Sequence, residues 1–168
     1  MKKNTIKKYY KKYVNPGFVE QLSFFSFHND IFLKAKGVFI YSKNKKILDI
    51  TGGIGVLNHG HNHPSILKVR REYNRNFYLE VHKNILSKYI AILSKLISSF
   101  LKNKLQMSFF CNSGAEANEA AIKASYKFYK GKRKTILHSN NSFHGKLIAT
   151  GSISSPLKNS NFPNVLKK

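Results

Sequence analysis

Cysteine is almost missing from this chain: Cys111 stands alone. One cysteine excludes an intrachain disulfide framework and fits a reducing, cytoplasmic setting. Acidic residues are scarce as well, 7 against 30 lysines and arginines, for a formal charge of +23. That balance is extreme for a small-molecule enzyme and would suit a polyanion or an anionic membrane. Arginine, however, is confined to Arg70, Arg71, Arg75 and Arg133. The forked side chains that read bases and phosphates are therefore few. The lysines are spread along the chain, so the charge supports only non-specific, salt-sensitive binding, with no specific nucleic-acid partner. Abundant lysine, asparagine, isoleucine, phenylalanine and tyrosine together have the look of an AT-rich coding sequence. Long apolar runs are lacking too, which excludes a helical bilayer span, and no membrane partner is expected. Lys7, Lys8, Lys11 and Lys12 interrupt any secretory core after Met1-Lys2-Lys3. There is no internal repeat and no low-complexity tract.

What is present is enough for a fold. A chain of 168 residues with 42% hydrophobic side chains can bury a core that offsets the entropy of ordering. Residues 1–16 read as a basic, tyrosine-rich lead-in ending in a turn at Asn15-Pro16-Gly17. Residues 38–41 and 47–50 read as two short strands around a polar turn in which Asn44 supplies positive φ. Gly52-Gly53-Ile54-Gly55 reads as a flexible stretch that permits close backbone approach. Pro64 then marks the first position of a helix running to about residue 77. Leu86, Tyr89, Ile90, Leu93, Leu96, Ile97 and Phe100 recur at three- and four-residue steps, predicting a second helix with one core-facing side.

From residue 105 the pattern changes to strand, helix, strand. Residues 107–110 form a short apolar run suited to a buried strand. Residues 115–129 form an alanine-rich helix ended by Gly131, and residues 135–138 a further strand. This order predicts an α/β sheet with a right-handed crossover. The segment from Ser154 onward carries no readable signal.

The junction between the first of these strands and its helix carries the chemistry. Ser113 followed by Glu116 is a capping box, which specifies the helix start. Gly114 lets the backbone turn sharply. The N–H groups of Gly114 and Ala115 would then point out of the helix N-terminus, where the macrodipole favours an anion. Small side chains leave room for a phosphate there. Any capped helix after a strand offers the same groups, so the residues alone leave a phosphate site and a plain helix cap both open.

Asn112-Ser113-Gly114-Ala115-Glu116-Ala117-Asn118-Glu119-Ala120-Ala121 and Ser142-Phe143-His144-Gly145 resemble two neighbouring motifs of the class-III pyridoxal-phosphate (PLP) dependent aminotransferases, at matching spacing. Upstream, Gly37-Val38-Phe39-Ile40-Tyr41, Ile47-Leu48-Asp49, Gly53-Ile54-Gly55-Val56 and Gly60-His61-Asn62-His63-Pro64 resemble that family's N-terminal signature in the same order. The resemblance covers residues 9–155. It implies an incomplete PLP-dependent transferase fold of the aspartate-aminotransferase type, an α/β architecture. Residues 1–60 would contribute to the small domain and dimer interface, with the 53–63 region close to that interface. Residues 61–168 would begin the large three-layer α/β/α domain.

For chemistry the resemblance implies pyridoxal 5'-phosphate as cofactor. It gives its phosphate to the amides of Gly114 and Ala115, the shaping of that turn to Ser113, and ring stacking to Phe143, where a flat aromatic suits a flat cofactor. His144 completes the motif with Gly145. The partners it implies are a small-molecule amine and a 2-oxo acid, in a homodimer.

Two departures stand out. Acetylornithine- and ornithine-type members tend to carry arginine directly after the Phe-His-Gly motif, whereas this chain has Lys146. Lysine is a point charge without a bidentate fork, and at this substrate position it looks more like the diamine-using members. The family's lysine that bonds the cofactor, and the aspartate that pairs with the ring nitrogen, lie well beyond the Phe-His-Gly motif. Nothing after Gly145 supplies that context, so these residues alone are expected not to catalyse amino transfer.

Other readings compete. His59, His61 and His63 alternate as metal ligands sometimes do, but no carboxylate or thiol lies among them and Pro64 begins a helix at once, so no metal is assigned. A non-catalytic remnant and a basic nucleic-acid-binding module remain the alternatives to the enzyme reading. Uncovered apolar faces and open strand edges predict poor solubility for these residues expressed alone.

Overall fold

The computed structural model describes residues 1–25, 30–80, 84–101 and 105–155. The chain packs as two compact units, Met1–Val81 and His82–Lys168.

In the first unit, helix α1 (Lys3–Tyr9) runs into a π-helical stretch, Tyr10–Val14, and α2 follows at Pro16–Phe24. The turn expected at Asn15-Pro16-Gly17 is thus a helix start. Asn15 Oδ1 accepts the Phe18 N–H at 3.2 Å, and Pro16 takes the first helical position, where a missing donor costs nothing. Three antiparallel strands come next: β1 (Lys34–Lys36), β2 (Phe39–Tyr41) and β3 (Lys46–Leu48), in that spatial order. Ile40 pairs with Ala35 on one side and Ile47 on the other. The strands on either side of the polar turn match expectation, and β1 adds to them. Asn44 does not take positive φ. The connection is four residues long, and Ser42 closes it: its N–H donates to Lys45 O at 2.9 Å and its Oγ accepts the Lys45 N–H at 3.1 Å.

The glycine stretch is a defined turn and not a flexible one. The helical turn α3 (Gly52–Gly55) is left-handed: Gly52, Gly53, Ile54 and Gly55 have φ of 53°, 65°, 62° and 77°. Gly55 N–H donates to Thr51 O at 2.8 Å and Val56 N–H to Gly52 O at 3.0 Å, closing it. Left-handed helix costs an L-residue roughly 1–2 kcal/mol, which explains why three of the four residues are glycine. Helix α4 (Pro64–Arg75) begins at the expected proline.

In the second unit, α5 (Lys88–Phe100) is capped by Ser87, whose Oγ accepts the Ile90 N–H at 3.4 Å. Its apolar stripe has the predicted spacing, but Tyr89, Ile90, Leu93, Leu96 and Phe100 are all exposed. The helix is therefore present while the core-facing burial expected of it is not, because no described residue covers the stripe. Helix α6 (Gly114–Phe128) matches the alanine-rich segment, and Gly131, with φ of 71°, donates back to Tyr126 O at 3.0 Å at its end. Residues 107–110 and 135–138 are not strands. A strand exists only as part of a ladder, and neither segment has a ladder partner among the described residues. The last element is the short α7 (Ile148–Ser152). The buried residues of this unit, among those described, are Gly145, Thr150, Gly151, Ile153 and Ser154. Its best-packed region is thus the 145–154 segment, which includes α7.

Among the described residues no helix is long and apolar enough to cross a membrane.

Candidate functional site

The start of α6 is built as its sequence demands. Ser113 has extended backbone, and its Oγ accepts the Glu116 N–H at 3.2 Å. The Glu116 carboxylate turns back and accepts the Asn112 N–H at 2.8 Å, one residue earlier than a standard capping box. These bonds leave the N–H groups of Gly114 and Ala115 with no acceptor among the described residues. A Cβ added at Gly114 would meet nothing within 4 Å. Two N–H groups at the positive end of a 15-residue helix are thus left without an acceptor.

Gly145, which ends the Phe143-His144-Gly145 segment, is pressed against this turn. Gly145 is buried with φ of 137°, and a Cβ there would fall 2.6 Å from Ala115 Cβ and 2.7 Å from Thr150 Oγ1. Only a glycine opposite an alanine permits such an approach. Phe143 keeps 59% of its surface exposed, so its ring is not spent on core packing. His144 Nε2 is buried without a hydrogen-bond partner among the described residues. A buried nitrogen without a partner is a polar group awaiting one. Lys146 follows directly and is exposed.

Ala115 therefore meets Gly145, with Ser113 and Gly114 just before the one and Phe143 and His144 just before the other in sequence. What fastens them was not legible in the sequence. Asn118 Nδ2 donates to His144 O at 2.7 Å. Glu119 Oε1 accepts the N–H groups of Ala149 and Thr150 at 3.1 and 3.0 Å. Ser154, only 2% exposed, accepts the His144 N–H at 2.9 Å, and its hydroxyl lies 3.0 Å from Gly145 O and 2.8 Å from Thr150 O. Ser155 Oγ accepts the Ser142 N–H at 2.8 Å. Two serines from the segment that carried no readable signal thus pin both ends of the motif. The only available hint was a polar Asn118-Glu119 pair inside an alanine-rich helix.

A cleft of about 640 Å³ runs along α6 between residues 109–112 and Leu147-Ile148. Gly114, Ala115 and Phe143 do not line it, but Asn112, Glu116 and Glu119 do, so it lies on the helix flank next to the capping turn.

In the first unit, His61 Nε2 lies 2.8 Å from Asp49 Oδ2, with both side chains mostly buried. The other Asp49 oxygen accepts from Thr51 N–H, Thr51 Oγ1 and Gly52 N–H at 2.9, 2.6 and 3.1 Å. The Thr51 hydroxyl foremost, and then His61, hold the Asp49 carboxyl well below the usual carboxylate range. His59 and His63 meet ring edge to face at 6.1 Å. Gly60, with φ of 79°, has Gly37 O only 2.9 Å from where a Cβ would sit. This close approach lets His61 and Gly37 exchange two backbone hydrogen bonds of 2.7 and 2.8 Å.

Comparison with known proteins identifies the family and the fold. The chain is 37% identical over 135 residues to the acetylornithine/succinyldiaminopimelate aminotransferase of Buchnera aphidicola subsp. Schizaphis graminum, covering 77% of this chain and 33% of that protein. The chain thus spans about a third of the length of that curated relative. The crystal structure of adenosylmethionine-8-amino-7-oxononanoate aminotransferase from Methanocaldococcus jannaschii superposes with a TM-score of 0.82 at 22% identity, over 99% of this chain and 40% of that one. Taurine:2-oxoglutarate aminotransferase from Bifidobacterium kashiwanohense, solved with PLP and glutamate, gives a TM-score of 0.67 at 25% identity, over 75% and 28% of the two chains. The fold is that of the PLP-dependent transaminases, of which the present residues form part of the α/β architecture. The family description "Aminotransferase class-III" matches residues 27–166, and the chain belongs to that family.

Proposed function

We propose that this chain is the cofactor-cradling part of a PLP-dependent aminotransferase that moves an amino group from an amine or ω-amino acid, diamine or ornithine-like, to a 2-oxo acid. The observation that carries the reading is the Gly145–Ala115 approach. It brings the segment that carries the exposed Phe143 and the unpartnered His144 Nε2 onto the turn that carries two unsatisfied helix-terminal donors. Those groups fit the cofactor: a phosphate for the Gly114 and Ala115 amides, an aromatic face for Phe143 and a polar atom for His144. Bound there, PLP supplies the electron sink that amino transfer requires.

The chain's own residues bind and orient. Ser113 fixes the turn, Gly114 and Ala115 donate to the phosphate, and Phe143 holds the ring plane. Lys146 offers a point charge to the substrate. Turnover also needs a lysine that bonds the cofactor and an acid at the ring nitrogen, roles that none of these residues fills. In the complete enzyme we place residues 1–60 in the small domain and the interface of a homodimer, and residues 61–168 in the large domain, in a cytoplasmic setting.

Fluorescence titration of the purified chain with PLP tests the reading, with Gly114→Val as control. A bulky side chain at the open face should weaken binding at least about tenfold, and inorganic phosphate should compete in the unaltered chain. Equal binding by both proteins would mean that PLP is held away from the Gly114 turn, and no binding by either would favour the remnant reading. Steep salt-dependent binding to polyanions with no PLP binding would favour the nucleic-acid module. The substrate question is answered in a complete enzyme containing these residues by comparing putrescine with acetylornithine. A clear acetylornithine preference would remove the argument from Lys146.

A further inference from the structure

Helix α7 lacks a cap of its own. Its N-cap residue is Leu147, which makes no side-chain cap bond. The N–H groups at the second and third helical positions, Ala149 and Thr150, are the ones a capping side chain ordinarily serves. Here both are taken by Glu119 Oε1, from 30 and 31 residues earlier in the chain. A carboxylate is favoured there by the helix dipole as well. The cap of α7 is thus a long-range tether, anchored in the same helix whose N-terminus carries Gly114 and Ala115.

The tether is mechanically connected to the Phe143 motif. Thr150 is fully buried, and its O lies 2.8 Å from Ser154 Oγ, the same hydroxyl that accepts the His144 N–H. Thr150 Oγ1 is also one of the atoms that crowd Gly145. One residue before Glu119, Asn118 holds His144 O. Adjacent residues of α6 therefore grip both ends of the segment from His144 to Thr150.

We propose that Glu119 is a positioning residue that sets Phe143-His144-Gly145 against the Gly114-Ala115 turn, so that ring and phosphate are held together. The proposal rests on the cofactor reading above. What Glu119 supplies is an acceptor at a fixed reach. Glutamine keeps both reach and acceptor, aspartate keeps the charge but is one methylene short, and alanine has neither.

PLP and inorganic phosphate binding to the purified full chain are compared for Glu119→Gln, Glu119→Asp and Glu119→Ala, with hydrogen exchange followed at Ala149, Thr150 and His144. Alanine and aspartate should weaken PLP at least about tenfold, leave phosphate binding at the Gly114 turn unchanged, and speed exchange at all three amides. Glutamine should stay within about threefold of the original on every measure. If alanine fails to fold, the contrast between glutamine and aspartate decides. Binding and exchange that follow charge and not length, or that do not change at all, would overturn the proposal. Should the unaltered chain bind no PLP, the cofactor reading fails and takes the ring-and-phosphate role with it. Exchange at His144 then still shows whether Glu119 sets the loop.

Discussion

Two carboxylates shape this molecule, and they work over different distances. Asp49 takes the N–H groups of Thr51 and Gly52, two and three residues away, and His61 from twelve residues away. Glu119 takes two N–H groups from 30 and 31 residues away. The first folds a piece of chain onto itself; the second joins two pieces that the sequence separates. A local clamp needs little closure entropy, whereas a distant tether depends on the loop between its ends being brought together first. The Asp49 clamp should therefore withstand perturbation elsewhere in its unit, while the Glu119 tether should fail whenever the packing around it is disturbed.

Glycine contacts give the severest test of that contrast. Gly145→Ala puts a Cβ into Ala115 and Thr150 at φ of 137°. It should cost about 2–3 kcal/mol of local stability, read as loss of exchange protection at Ala149 and Thr150 together. Gly60→Ala, against Gly37 O, should cost about 2 kcal/mol and open the His61–Gly37 pair while leaving exchange at Thr51 and Gly52 slow. If both clamps opened in their respective variants, the distinction between local and distant would be lost.

Acid tests the Asp49 clamp more gently. Because Asp49 is held below the ordinary carboxylate range, its contribution is complete above that range. It declines as pH falls below about 4 and is gone only once the depressed value is passed. An NMR titration should show the Thr51 amide keeping its bonded shift well below pH 4. A transition at the ordinary aspartate position would mean the clamp is weaker than its four contacts imply.

Smaller effects sharpen the picture. Ser113→Ala removes the α6 cap and should cost about 1 kcal/mol, read from exchange at Glu116. Ile54→Gly relieves the one L-residue in the left-handed turn and should stabilise it by about 0.5–1 kcal/mol, seen as slower exchange at Gly55 and Val56. Faster exchange there would mean that Ile54 contributes packing beyond its strain.

What the sequence disclosed follows the same division between local and distant. Helix starts at Pro64 and Ser113, the β2–β3 pair and the end of α6 were all readable, because each depends on residues within a turn of one another. Asn15-Pro16 was misread as a plain turn although asparagine before proline is also a helix-start signal. Strand β1, Lys34-Ala35-Lys36, has too few apolar residues to announce itself and exists through its pairing with β2. Residues 107–110 and 135–138 look like strands yet have no described ladder partner. At the candidate site, Ser113, Gly114, Ala115, Phe143 and His144 were all singled out from the sequence. The residues that fasten them, Asn118, Glu119, Ser154 and Ser155, were not, since a hydrogen bond across ten to thirty residues leaves no periodic trace.

The glycine turn at residues 52–55 has a consequence for chirality. A left-handed turn is the natural conformation of D-amino acids, and here it is assembled from three achiral residues and a single L-isoleucine. In a chemically synthesised chain, D-alanine at Gly55 would stiffen the turn without strain, whereas L-alanine at the same position would oppose it. Over these four residues the backbone runs in mirror image to its own building blocks, and glycine is what makes that possible.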